Sequence, residues 1–164
     1  MSDNKRPAHG LWFIPITFFI AFYLAALPLP GRFEIARPDW VSLMVVFWVL
    51  VLPERFGVLV SFCVGLLYDS LVGTPLGLYG AVFSCLAYTI LLLHARLKMY
   101  PLGQQALVIF LVIGISHIIA AWLKGAVMST VSGQLHMWPA LTSAILWPWV
   151  YGINRTLQIR FRVQ

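Results

Sequence analysis

Charged side chains are scarce in this chain. They make up 10% of its 164 residues, where a soluble domain of that length carries about a quarter. Acids are the rarest of them: Asp3, Glu34, Asp39, Glu54 and Asp69 are all there is. Only Asp69 falls well inside an apolar segment, so paired carboxylates for acid–base work within a membrane cannot be assembled. An aspartyl protease of the membrane needs a second aspartate in a GxGD setting, which is missing. No HExxH supports a zinc protease, and no GxSG supports a rhomboid-type serine enzyme. Cys63 and Cys85 stand inside apolar runs with no CxxC, and as small buried hydrophobes they need no further account. Long polar stretches are missing too, which leaves no room for a separate soluble domain.

What is present is hydrocarbon: 61% of the residues are hydrophobic. About 20 helical residues cross a ~30 Å hydrocarbon core. With Pro, Gly and charge as punctuation, six apolar segments emerge, at 10–28, 39–52, 56–72, 76–93, 104–128 and 135–153. Residues 1–164 thus read as one polytopic, all-α integral membrane domain with six transmembrane helices. The basic "MSDNKRPAH" ahead of the first run also fits a secretory signal, but that run is long and more follow, which favours an uncleaved start-transfer helix. The second segment is short. Between Pro38 and Pro53 only 14 residues fit, about 21 Å of helix at 1.5 Å per residue.

Loop charge orients the chain. With six spans and the N-terminus inside, Lys5, Arg6, Arg55, Arg96, Lys98, Arg155, Arg160 and Arg162 lie on the inner side, and Arg32, Arg37 and Lys124 outside. That is the positive-inside pattern, with both termini cytoplasmic and the 69–75 and 129–138 loops outside. A re-entrant second segment would give five spans, an outer N-terminus and the same score; Lys5 and Arg6 favour six. The net charge of +6 has a reading without nucleic acid, because basic residues at inner helix ends face anionic lipid at ~1 kcal/mol each. The tail "NRTLQIRFRVQ" reads as the last span emerging into a short amphipathic helix.

Asp69 sits in "GLLYDSLVGTPLGLYG" with Gly65 and Gly73 four residues to either side and Gly77 four further on. Small residues at that spacing let membrane helices approach closely. Pro75 disfavours helix at Thr74, so the third helix must stop just beyond Asp69. A carboxylate there can accept hydrogen bonds from the freed backbone N–H groups of the next turn. A packing and capping corner, a proton- or substrate-handling acid and a docking corner for a partner all remain open readings. In "ARPDWVSL", Pro38 and Asp39 suit the start of a helix and Trp40 the interface. His117 is the one histidine well inside a span and reads as a packing residue, since no second His or Cys is near it. No cofactor and no metal site is expected.

Taken in order, the basic N-terminus, "RPDW", "LPERFGVLVSFCVGLLYDSLVGTPLGLYG", "QQALVIFLV" and "LWPWVYGINRTLQIRFRVQ" resemble the rod shape-determining MreD family across nearly the whole chain. The chain departs from the family pattern at His117, where some relatives carry an acid. The resemblance implies a bacterial inner-membrane protein that is not an enzyme, acting beside MreC, the MreB filament and the glycosyltransferase and transpeptidase that extend the lateral wall. It implies a fold similar to the six-helix substrate-binding subunits of energy-coupling-factor transporters, which keeps a transporter subunit as the alternative. Gly65, Asp69, Gly73, Gly77, Pro38, Asp39, Trp40, Trp147 and Pro148 are the structural and partner-contact candidates. Few polar side chains fall inside the spans, and a ligand pocket needs several converging donors, so the scaffold is the favoured reading.

Overall fold

The computed structural model describes residues 12–28, 37–128 and 137–160. Lys5, Arg6, Arg32, Glu34, Arg162 and most of the 129–138 loop lie outside them. Among the described residues the chain forms six helices: α1 (Phe13–Ala26), α2 (Trp40–Val51), α3 (Val58–Val72), α4 (Leu78–Leu97), α5 (Leu102–Met128) and α6 (Trp138–Arg160).

The short second segment forms the centre of the bundle. α2 has 12 residues, about 18 Å at 1.5 Å per residue, and every one from Val41 to Leu50 is buried. A helix that is hydrophobic all round belongs in a protein interior, and "WVSLMVVFWVLV" is such a sequence. α1, α4 and α6 pack directly on it. Trp48 is fully buried and its indole Nε1 donates to Thr17 Oγ1 of α1 at 2.9 Å. Phe47 meets Tyr151 of α6 edge-on at 6.0 Å. Because neighbouring helices cover α2, its length need not match the thickness of a bilayer.

Two helix ends differ from expectation. α4 continues past residue 93 to Leu97 because the polar run "HAR" does not break it. His94 and Arg96 stand in its last turn, where the helix dipole favours positive groups. α6 runs through the expected end at 153 to Arg160, with Pro148 inside it. Proline there removes the hydrogen bond to the Ala144 carbonyl, and the rest of the ladder carries the helix on. The stretch from Asn154 to Arg160 is therefore part of α6, not a separate surface helix.

The helices turn large apolar side chains outward, among them Leu67, Leu92, Leu107, Trp122, Ile145 and Trp149. Contiguous apolar surface on this scale is unusual for a soluble monomer, whereas hydrocarbon tolerates it. α4 and the Leu102–Val127 stretch of α5 are long and apolar enough to cross a membrane. The architecture is consistent with an all-α membrane protein.

Candidate functional site

Most of the polar detail lies at the end of the bundle where α3 gives way to α4. α3 ends on Gly73, whose φ of 73° is left-handed, a conformation that glycine adopts without the Cβ penalty. The N–H groups of Gly73 and Thr74 donate back to the Asp69 carbonyl at 2.9 and 3.1 Å, closing the helix as left-handed C-caps do. α4 then begins after Gly77, at φ 98°.

The Asp69 carboxylate spans this break. Its Oδ1 accepts from Thr74 Oγ1 at 2.7 Å and from the Tyr79 N–H at 2.9 Å. Its Oδ2 accepts from the Gly77 N–H at 2.9 Å and, more weakly, from the Gly80 N–H at 3.4 Å. The first N–H groups of a helix have no partner of their own, and here one fully buried side chain supplies it for α4. A carboxylate with this many donors is satisfied as an anion.

Gly65, one turn before Asp69, permits the approach. A Cβ there would stand 2.5 Å from the Gly80 Cα, the Gly80 N and the Tyr79 carbonyl. Backbone meets backbone at that point. Gly80 in turn faces the ring of Phe62, 2.9 Å from where its own Cβ would be. The stripe expected from spacing therefore ends at Asp69. Gly73 and Gly77 would meet nothing within 4 Å of an added Cβ; they serve the turn through their positive φ, and the second small residue of the crossing is Gly80.

Beside the corner lies a cleft of about 170 Å³ whose lining includes Arg37, Asp39, Trp40, Tyr68, Tyr79 and His117. Asp39 caps α2: its Oδ1 accepts from the Ser42 N–H at 3.1 Å and its Oδ2 from Ser42 Oγ at 2.6 Å. Its own N–H donates to Ser143 Oγ of α6 at 2.8 Å. Pro38 stands just before it and Trp40 opens the helix. His117 Nε2 comes within 3.4 Å of Asp39 Oδ2, yet it is buried without an aligned hydrogen-bond partner. The two atoms are close without being aligned as a hydrogen bond. Lys124 Nζ donates to Tyr79 Oη at 3.1 Å, and Tyr68 meets Tyr79 edge-on at 4.7 Å.

At the opposite end Trp147 and Gln105 form a lock. Gln105 is buried and its Nε2 donates to the carbonyls of Leu97 and Tyr100 at 2.9 and 3.1 Å. Its Oε1 accepts from Trp147 Nε1 at 3.2 Å. One amide thus ties the α4–α5 turn to α6. Pro148, next in sequence, borders a shallow outward apolar groove with Trp149, Gly152 and Ile153. The sequence candidates accordingly divide: Gly65, Asp69, Gly73 and Gly77 meet at one corner, Pro38, Asp39 and Trp40 at the neighbouring cleft, and Trp147 and Pro148 elsewhere. Gly80, Gln105, Lys124 and the pairing of His117 with Asp39 escape sequence reasoning, because each depends on a contact between helices; Thr74 went unnamed although it lies in the turn, five residues from Asp69.

An all-helical bundle whose buried polar groups cap helices and join them defines a protein built on packing, of a kind consistent with residence in a membrane. A family model described as rod shape-determining protein MreD matches residues 8–157. The chain belongs to that family. It is 29% identical over 153 residues to the rod shape-determining protein MreD of Haemophilus influenzae, covering 93% of this chain and 94% of that one. No solved structure matches it. The family is one of shape determination and is not known as a family of enzymes. A likeness to energy-coupling-factor subunits is not shown, and the transporter alternative has no support.

Proposed function

We propose that this protein is an inner-membrane scaffold of the bacterial cell-wall elongation complex. It binds MreC directly, shares its assembly with the MreB filament and the wall glycosyltransferase and transpeptidase, and supports lateral peptidoglycan synthesis. The family match over residues 8–157 carries this reading, since it makes rod shape the outcome in which the chain takes part. The chemistry of Asp69 supports it. A carboxylate with no exposed surface and donors on both oxygens serves geometry, whereas a proton carrier must exchange its proton with water or a partner. The hairpin of α3 and α4 holds an outward row of Leu59, Leu67 and Leu71, apolar side chains suited to a single transmembrane helix of a partner. The chain crosses the membrane several times with both termini cytoplasmic, and its basic inner ends meet anionic lipid.

Complementation tests the role of the corner. Asp69→Asn keeps one carbonyl oxygen but sets its NH2 against the donors of the other, so it is expected to lose part of the rod shape in cells lacking the protein, and less than Asp69→Leu. Asp69→Leu orphans three or four donors, at about 1–3 kcal/mol for each buried group, and loses both shape and co-purification of MreC. Asp69→Leu that keeps rod shape and MreC co-purification at equal membrane level would show that the buried donors need no acceptor, and the capping account of this residue would fall.

A further inference from the structure

Each of the six helices sends a residue to the cleft at the start of α2. Ala25 comes from α1, Trp40 from α2, Tyr68 from α3, Tyr79 from α4, His117 from α5 and Pro139 from α6. The segment before α2 adds Arg37 and Asp39. Charge does not dominate this place. Arg37 and Asp39 cancel formally, and Lys124 stands over the Tyr79 ring without lining the cleft. α2, α4 and α6 begin at this end of the bundle while α1, α3 and α5 finish there, so the helix dipoles offset one another.

Hydrogen-bonding capacity in the cleft is nevertheless unused. Tyr68 packs its ring against Phe22 and Phe83 and meets Tyr79 edge-on. Its Oη makes no hydrogen bond among the described residues and is not enclosed, which leaves it for water or a ligand to complete. The Trp40 indole N–H is in the same state. Arg37 Nη2 donates to the Leu24 carbonyl, and the guanidinium has further N–H groups. Each Asp39 oxygen accepts one bond from Ser42, and a carboxylate oxygen has room for a second. His117 turns its enclosed Nε2 toward Asp39 at 3.4 Å, so it serves as wall.

Donors and acceptors are thus both on offer, without net charge, beside the apolar flanks of Pro38, Trp40 and Pro139. The volume of about 170 Å³ falls below the about 300 Å³ at which sites for drug-sized ligands begin. It suits one ring with its substituents. A sugar ring answers each of these features: its hydroxyls donate and accept, its C–H groups form an apolar face, and it carries no charge. A peptide strand shares the donors and acceptors but needs a groove open at both ends, whereas six helices wall this cleft. We infer that the cleft binds a neutral pyranose, with Arg37, Asp39 and Tyr68 Oη as hydrogen-bonding partners and Trp40 as apolar flank. Trp40 and the exposed Trp138 at the start of α6 belong at the headgroup level of a bilayer. A sugar carried on a lipid and a free one both reach that depth. Binding of this kind is independent of which proteins the scaffold meets.

The test uses the purified full-length chain in a polyoxyethylene detergent, which has no sugar headgroup to compete. Native mass spectrometry follows titration with diacylglycerols carrying one glucosyl, galactosyl or N-acetylglucosaminyl group, and with bare diacylglycerol. Calorimetry follows titration with the methyl glycosides of the same sugars. The expected result is one saturable sugar per chain, weakened about tenfold, or about 1.4 kcal/mol, in Tyr68→Phe and unchanged in Tyr88→Phe. Tyr68→Phe removes a hydroxyl without a partner in the protein and keeps the ring packing, and Tyr88 is exposed on α4 away from the cleft. A glycolipid that binds more tightly than its methyl glycoside assigns the site to a lipid-borne sugar; equal affinity assigns it to a free one. If Tyr68→Phe does not fold, deoxy analogues on the unaltered chain decide, with about tenfold loss expected for at least one missing hydroxyl and uniform affinity refuting the site. Bare diacylglycerol bound as tightly as the glycolipids, full affinity in Tyr68→Phe, or no saturable binding of any of the sugars also refutes it.

Discussion

Replacing Gly65 with alanine adds one carbon where there is no space for it. The new Cβ would stand 2.5 Å from three backbone atoms of Tyr79 and Gly80, and ordinary contact needs close to 3.5 Å or more. No side chain can rotate away, so α3 and α4 must separate by about 1 Å. Overpacking of this kind costs about 1–3 kcal/mol. The separation also falls on the Asp69 bonds to the N–H groups of Tyr79 and Gly80, now 2.9 and 3.4 Å, and hydrogen bonds to a charged group contribute about 1.5–3 kcal/mol each. Losing one of them brings the expected total to about 2.5–6 kcal/mol. Thermal unfolding in detergent, with membrane abundance in cells as a second measure, reads the effect. Gly57→Ala is the control, because a Cβ there meets nothing within 4 Å and the backbone is extended. Gly80→Ala presses instead on the ring edge of the exposed Phe62 and is milder, at about 1 kcal/mol. Gly65→Ala as stable as Gly57→Ala would refute the backbone crossing and the account of the hairpin built on it.

Gln105→Leu should destabilise by about 2–4 kcal/mol, because it leaves the fully buried Trp147 indole N–H without its acceptor and removes the side-chain donor from the Leu97 and Tyr100 carbonyls, of which Leu97 keeps the Tyr100 N–H; a melting curve matching the parent's would show that the lock contributes nothing. Reporter fusions after Gln164 and at Ser2, with cysteine labelling at Ser132, should place both termini in the cytoplasm and residue 132 outside; an externally accessible N-terminus would end the six-span topology and favour five.

Local chemistry was legible in the sequence where one residue's neighbours along the chain decide its role. The stop of α3 follows from Gly73 and Pro75, and Asp39 at the start of α2 follows from Pro38 before it and an apolar run after it. The Asp69 corner could be anticipated because its donors lie within 11 residues of it, a distance over which one helix ends and another begins. Spacing alone misled at Gly73. Four residues beyond Asp69 is one helical turn only if the helix continues, and the same Pro75 that marks the corner prevents that. Gly80 went unread since the face it presents is fixed by where α4 starts, and its partner Gly65 is named only by the crossing.

The second segment carries the larger lesson about length. As a membrane span, 14 residues between prolines are too few, and a re-entrant loop was a fair alternative. As the innermost helix of a bundle, the same residues meet a different requirement: apolar side chains in every direction and no charge on any face. "WVSLMVVFWVLV" meets it, with Ser42 directed to the Asp39 cap and Trp48 to Thr17. The absence of a polar face was therefore the informative signal, and chain length was not. A helix enclosed in this way is fixed by α1, α4 and α6 together, and its N-terminal Asp39 is held against Ser143 and beside His117. The polar cleft thus rests on the most fully buried helix among the described residues.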